Sequence, residues 1–174
     1  MSGKIVGIFV IVCALLAGGA LYYLQIYGFY YEVAAQPGRD VTLIVQETGE
    51  PEAISYSDFQ AIDADSSPIR YRACFQTDLS PDALRARSQA GTGNDPRVAP
   101  AWFDCFDALA IGAAVAGGDA QVFLSQKNVG FGVDRVVAIT AAGRGYIWHE
   151  FNNCGEKAYD GTIVGEECPQ HPAN

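Results

Sequence analysis

From Ile5 to Leu24 the chain runs for twenty residues without a charged side chain. At about 1.5 Å of helical rise each, such a run spans roughly 30 Å, the thickness of a bilayer's hydrocarbon core, and predicts a transmembrane helix. A cleaved signal peptide is the competing reading, because Lys4 gives a positive start and Val33, Ala34 and Ala35 resemble a cleavage site. A signal's apolar region is only about 7 to 15 residues long. Here charge is absent as far as Tyr31, and the far end is rich in tyrosine instead of small residues, so an uncleaved anchor fits better. Cys13 follows bulky Val12, which argues against a lipidated cysteine. Tyr22, Tyr23, Tyr27, Phe29, Tyr30 and Tyr31 form an aromatic belt of the kind that sits at a membrane–water interface. Ala14 and Gly18 share a helix face that could let another helix approach closely, but small residues are common in single-span helices, and that plainer reading is favoured.

Beyond the anchor, residues 1–31, the pattern predicts a linker over 32–40 and one domain over 41–174. Val41 to Gln46 reads as a strand, followed by a turn at Gly49-Glu50-Pro51 and a weaker extended piece at Ala53 to Tyr56. In Ile69 to Phe75 the apolar Ile69, Tyr71, Ala73 and Phe75 alternate with Arg70, Arg72 and Cys74, the period of a half-buried strand. Ser80-Pro81-Asp82 is a helix start, and a short helix to about Ser88 follows. Gln89 to Pro100 is loop-like. A longer helix is expected from about Pro100 to Ala116, ending at Gly117-Gly118, with Phe106, Leu109, Ala110 and Ala113 facing inward. Ala120 to Ser125, Val133 to Thr140 and Tyr146 to Phe151 read as strands, the last two joined as a hairpin, and the chain is irregular from Asn152. Short connections favour antiparallel pairing, so the predicted fold is α+β: one N-terminal transmembrane helix, then a small domain with a mainly antiparallel sheet and two or three helices.

Charge narrows the choice of function. Twenty Asp and Glu against eleven Lys and Arg give −9, and since Lys4 alone lies outside it, the part beyond the anchor carries about −10. Such a balance excludes nucleic acid as an expected partner and predicts repulsion from an anionic lipid surface. Lys4 before the helix, with Arg39 the only cation in the twenty residues after it, orients the N-terminus to the cytoplasm. Cys74, Cys105, Cys154 and Cys168 are an even set in a small domain, as expected in an oxidising compartment. Of the three possible pairings, Cys74 with Cys105 ties a strand to the long helix and Cys154 with Cys168 fastens the tail.

Candidate chemistry is sparse. His149-Glu150 puts an imidazole beside a carboxylate, but alternation sends His149 with Ile147 and Phe151 and Glu150 with Tyr146 and Trp148. No catalytic residue is assigned, and His149→Ala is expected to leave the fold nearly intact. Arg135 shares a face with Val133, Val137 and Ile139, so it reaches water, pairs with a carboxylate, or meets an anionic ligand or partner. His171 lies in the tail. Gly130-Phe131-Gly132 reads as a turn. Without a Cys-x-x-Cys pair or a haem-attachment motif, no metal and no cofactor is expected, and no nucleophile elbow is present.

Three stretches carry a resemblance. Trp102-Phe103-Asp104-Cys105-Phe106-Asp107, Gly132-Val133-Asp134-Arg135-Val136-Val137-Ala138, and Gly143 through Asn152 with Cys154-Gly155 resemble an uncharacterised alphaproteobacterial family of single-span membrane proteins. The resemblance implies a bacterial inner-membrane protein with a periplasmic domain and supplies no activity. Two functions follow as expectations. One is an accessory or interaction protein associating with a larger inner-membrane complex. The other is an anchored envelope enzyme or small-ligand binder built around Arg135, His149 and Glu150.

Overall fold

The computed structural model describes residues 2–93 and 95–170. Its first element, α1 (Gly3–Tyr23), runs on through a π-helical turn, Leu24–Gly28, as one apolar helix long enough to cross a membrane, with none of its spanning window buried. Strands β1 (Tyr31–Glu32), β2 (Thr42–Ile44), β3 (Pro51–Ala53), β4 (Ser57–Asp63) and β5 (Arg72–Gln76) follow. Then come α2 (Pro81–Arg85), α3 (Ala108–Gly117) and β6 (Ala120–Gly130), β7 (Val133–Thr140) and β8 (Arg144–Phe151). Six strands form one antiparallel sheet in the order β1-β4-β5-β8-β7-β6, and β2 and β3 form a separate ribbon. The domain is α+β, as its connections predict.

Both faces of the sheet are covered, and this changes how its strands read. On one face Ala73, Phe75, Val137, Ile139 and Ile147 pack against Val41, Leu43 and Ile54 of the ribbon region and Leu84 of α2. On the other, Ile62, Cys74, Val136, Ala138 and Trp148 lie under Phe103, Phe106 and Ile111. The stretch around β5 is therefore buried on both sides, not half-buried, and Arg72 is only 3% exposed. The bond Cys74–Cys105 ties this second covering layer to β5, and Cys154–Cys168 closes the tail. Loops of this length imply about 3 to 4 kcal/mol each on the chain-entropy account.

Several boundaries differ from expectation, each for a local reason. The expected linker over 32–40 is partly sheet, because Tyr31 and Glu32 pair with Asp63 and Ile62 and the Val33 amide donates to Ala61. Strand β4 was not anticipated. Its polar residues are poor strand formers, and Asp58 at φ 52° makes a bulge that breaks the alternation. The long helix begins at Ala108 instead of Pro100, since the Asp107 carboxylate caps the amides of Leu109 and Ala110 at 3.0 and 3.1 Å. Segment 100–107 is instead drawn onto the sheet by Phe103, Phe106 and the Cys105 bond. Within α3 only Ile111 is buried; Ala110 and Ala113 are exposed and Leu109 is 85% exposed, so the expected inward face is corrected. The helix ends as expected, at Gly118 in the left-handed region with φ 80°. Ser80 caps α2 through the Ala83 amide, which stops at Arg85.

Candidate functional site

The residues singled out in the sequence fall on two faces of the sheet. Arg135 and His149 are register partners on β7 and β8, so their side chains meet on the first face. Arg135 Nε donates to His149 Nε2 at 3.0 Å, and the guanidinium lies 4.5 Å from the centroid of the Tyr71 ring, on which His149 also stacks at 4.9 Å. His149 Nδ1 stands 2.8 Å from the Pro68 carbonyl. A ring accepting at Nε2 must carry its proton at Nδ1, so this geometry fixes a neutral imidazole with both nitrogens engaged. Burial first, then the Arg135 charge, push its pKa down to about 4. Burial raises the Tyr71 phenol to about 12, against the opposing pull of Arg135. Arg135 is thus held by an aromatic ring and an imidazole, and no carboxylate stands within ion-pair distance of it among the described residues.

Glu150 lies on the other face, as alternation requires. Trp148 Nε1 donates to it at 3.3 Å, and burial raises its carboxyl above the ordinary range. It packs so closely on Gly93 that a Cβ there would stand 1.6 Å from Glu150 Oε2. Its register partner Asp134 accepts from the Asn128 amide and Asn152 Nδ2. His149 and Glu150 therefore share no proton path, and no group of three His, Cys, Asp or Glu able to hold a metal occurs among the described residues. His171 lies outside the described residues. Gly130-Phe131-Gly132 is the turn between β6 and β7.

A third cluster was missed in the sequence. Where the apolar helix ends, at Gly28, the carbonyls of Gln25 and Ile26 lie past the last intrahelical amide, and the domain satisfies them. Arg70 Nη1 donates to the Gln25 carbonyl at 3.2 Å and Nη2 to Gln25 Oε1 at 2.6 Å, while Trp102 Nε1 donates to the Ile26 carbonyl at 2.7 Å. A cation at a helix C-terminus is favoured by the helix dipole, by about 0.3 to 1 kcal/mol where exposed. Tyr27 stacks on Trp102 at 6.4 Å, and Arg70 lies over Tyr30 at 5.4 Å. Beneath this junction is a cavity of about 410 Å³ lined by Gln25, Ile26, Tyr30, Arg70, Arg72 and Arg97 among others. Among the described residues the Arg72 guanidinium donates to the carbonyls of Ile69, Tyr71, Arg97 and Val98, and burial lowers its pKa to about 10. The signal for the burial of Arg72 alone was available: Arg72 is two residues from Cys74 on one strand face, and a bridge from Cys74 to Cys105 requires that face to be covered.

The neutral state of His149 has a pH consequence. Its folded-state pKa lies below the ordinary 6.5, so the stability it contributes is complete above about pH 6.5 and is lost as pH falls towards 4. The full loss is about 3 kcal/mol on that linkage. Asp63 and Glu150, raised by burial, act oppositely, contributing at low pH and losing that contribution as pH rises. His149→Gln keeps an acceptor for Arg135 and cannot charge. Denaturant titrations at pH 7 and pH 4.5 should show the variant losing distinctly less stability on acidification; equal losses would contradict the buried neutral ring. The structure also revises the expectation for His149→Ala, which strips Arg135 and Pro68 of their partner and is expected to destabilise.

Residues 41–169 match the model of a Family of unknown function (DUF6446). No curated protein matches the chain. No solved structure matches it either.

Proposed function

Since the chain belongs to that family of unknown function, we propose from its own architecture that it is a membrane-anchored accessory or interaction protein, associating with a larger membrane assembly. The observation that carries this reading is an exposed apolar recess beside the anchor junction. Val98 and Leu109, 78% and 85% exposed, line it together, and Trp102 of the junction lies on the same chain segment. Exposed apolar groups gathered next to a membrane helix favour a lateral partner. The enzyme reading has less support, because both ring nitrogens of His149 are engaged, by Arg135 Nε and the Pro68 carbonyl, the Arg135 guanidinium lies over the Tyr71 ring, and Glu150 is on the opposite face.

The proposed location is a bacterial inner membrane, crossed once, with the N-terminus cytoplasmic and the domain periplasmic. The two disulfides favour an oxidising compartment, and Lys4 before the helix favours this orientation. The sequence resemblance supports an alphaproteobacterial setting.

Purification of the full chain in mild detergent, followed by mass spectrometry, tests the interaction. A stoichiometric membrane protein is expected to copurify and to be depleted several-fold by Leu109→Glu; a monomer carrying a bound small molecule would favour the enzyme reading instead. Alkaline phosphatase fused after Asn174 should be active if the domain is periplasmic. Activity from a cytoplasmic reporter at the same point would reverse the orientation.

A further inference from the structure

We infer that the cavity under the end of the membrane helix binds the headgroup phosphate of an anionic phospholipid, between Arg70 and Arg97 and above buried Arg72. The first argument is depth. If Ile5 to Leu24 fills the roughly 30 Å hydrocarbon core, the next residues, Gln25 and Ile26, stand at the level of the lipid phosphates, and both line the cavity. Tyr30 lines it too, and Trp102, which donates to the Ile26 carbonyl, stacks on Tyr27, as interfacial rings do.

The second argument is charge. Three of the chain's eleven Lys and Arg line this one cavity in a domain that is otherwise strongly acidic, and among the described residues no carboxylate lies within ion-pair distance of any of the three. Among the described residues the Arg72 guanidinium meets carbonyl oxygens and the Phe106 ring, at 5.7 Å, and no carboxylate within ion-pair distance, so its buried charge makes the cavity electropositive. Arg97 is exposed and its side chain donates to no described residue, which leaves its planar fork available for a phosphate. Net charge repels the domain from an anionic surface, whereas this cavity reverses the sign locally. A volume of about 410 Å³ accommodates a phosphate with its glycerol.

This inference rests on the anchored reading, and the two fail separately: protein washed from membranes by alkaline carbonate would refute the anchor. For the site itself, full-length protein in detergent micelles doped with equal phosphatidylglycerol and phosphatidylcholine is examined by native mass spectrometry. One phosphatidylglycerol should be retained in preference. R70Q/R97Q should weaken that retention roughly ten-fold, the scale of lost charge-assisted hydrogen bonds. R85Q/R87Q, which removes equal charge on and just after α2, should leave it unchanged. If the double variant does not fold, exposed R97Q alone must still show a several-fold loss. Equal retention of both lipids, or a preference indifferent to R70Q/R97Q and R97Q, overturns the proposal. Displacement of the lipid by an equal concentration of inorganic phosphate would assign the site to a soluble anion and overturn the lipid as its source.

Discussion

The long apolar helix ends in carbonyls that no later turn of its own can satisfy, and the domain itself supplies the missing donors. Arg70 and Trp102 come from segments far apart in sequence, yet both reach the helix end at Gln25 and Ile26. Arg70 leads into β5. Trp102 precedes Cys105, whose bond to Cys74 fixes its segment against the same strand. The cap therefore depends on the sheet and on the layer covering it, and the chain passes within three residues from the end of the helix into the edge strand β1. Anchor and domain are joined through packing and hydrogen bonds, not merely by sequence continuity.

Covering the sheet on both faces has a second consequence, which concerns polar groups. Arg72, Asp134, His149 and Glu150 are all buried, and each is met by specific partners: carbonyls, amides, an indole or a guanidinium. An unpaired buried polar group costs about 1 to 3 kcal/mol or more, so these pairings hold the strands in one register. The same pairings remove His149 and Glu150 from any shared proton chemistry. The arginine-lined cavity at the junction, by contrast, keeps cationic side chains open to a ligand.

The sequence carried the long apolar N-terminal helix and the late strands because each rests on a strong local signal, an unbroken apolar run or period-two alternation, and the cysteine pairing because each bridge ties down a segment that its neighbours in sequence could not. It misled where tertiary structure overrides local pattern. The alternation of Arg70, Arg72 and Cys74 looks like a solvent face until the layer around Phe103 and Phe106 is laid over it. The helix over 100–107 had the right composition but was pre-empted by the Cys105 bond and the Asp107 cap. Strand β4 was hidden by Asp58 and its bulge. The junction cavity was illegible for a different reason: Gln25, Arg70 and Arg97 are brought together only by the fold, and nothing in their spacing announces it.

If the apolar helix crosses a bilayer, the domain's grip on its end seats the domain on the membrane with Trp102 at headgroup depth. The other tryptophan, Trp148, is fully buried in the core, so quenching from the lipid phase reads Trp102 alone. Fluorescence of the full chain reconstituted with lipids brominated at graded depths is the direct measurement. Quenching is expected to be strongest for bromines nearest the headgroup and absent in Trp102→Phe. Trp102 emission unaffected by bromine at every depth would show that the domain stands away from the bilayer and would contradict that seating.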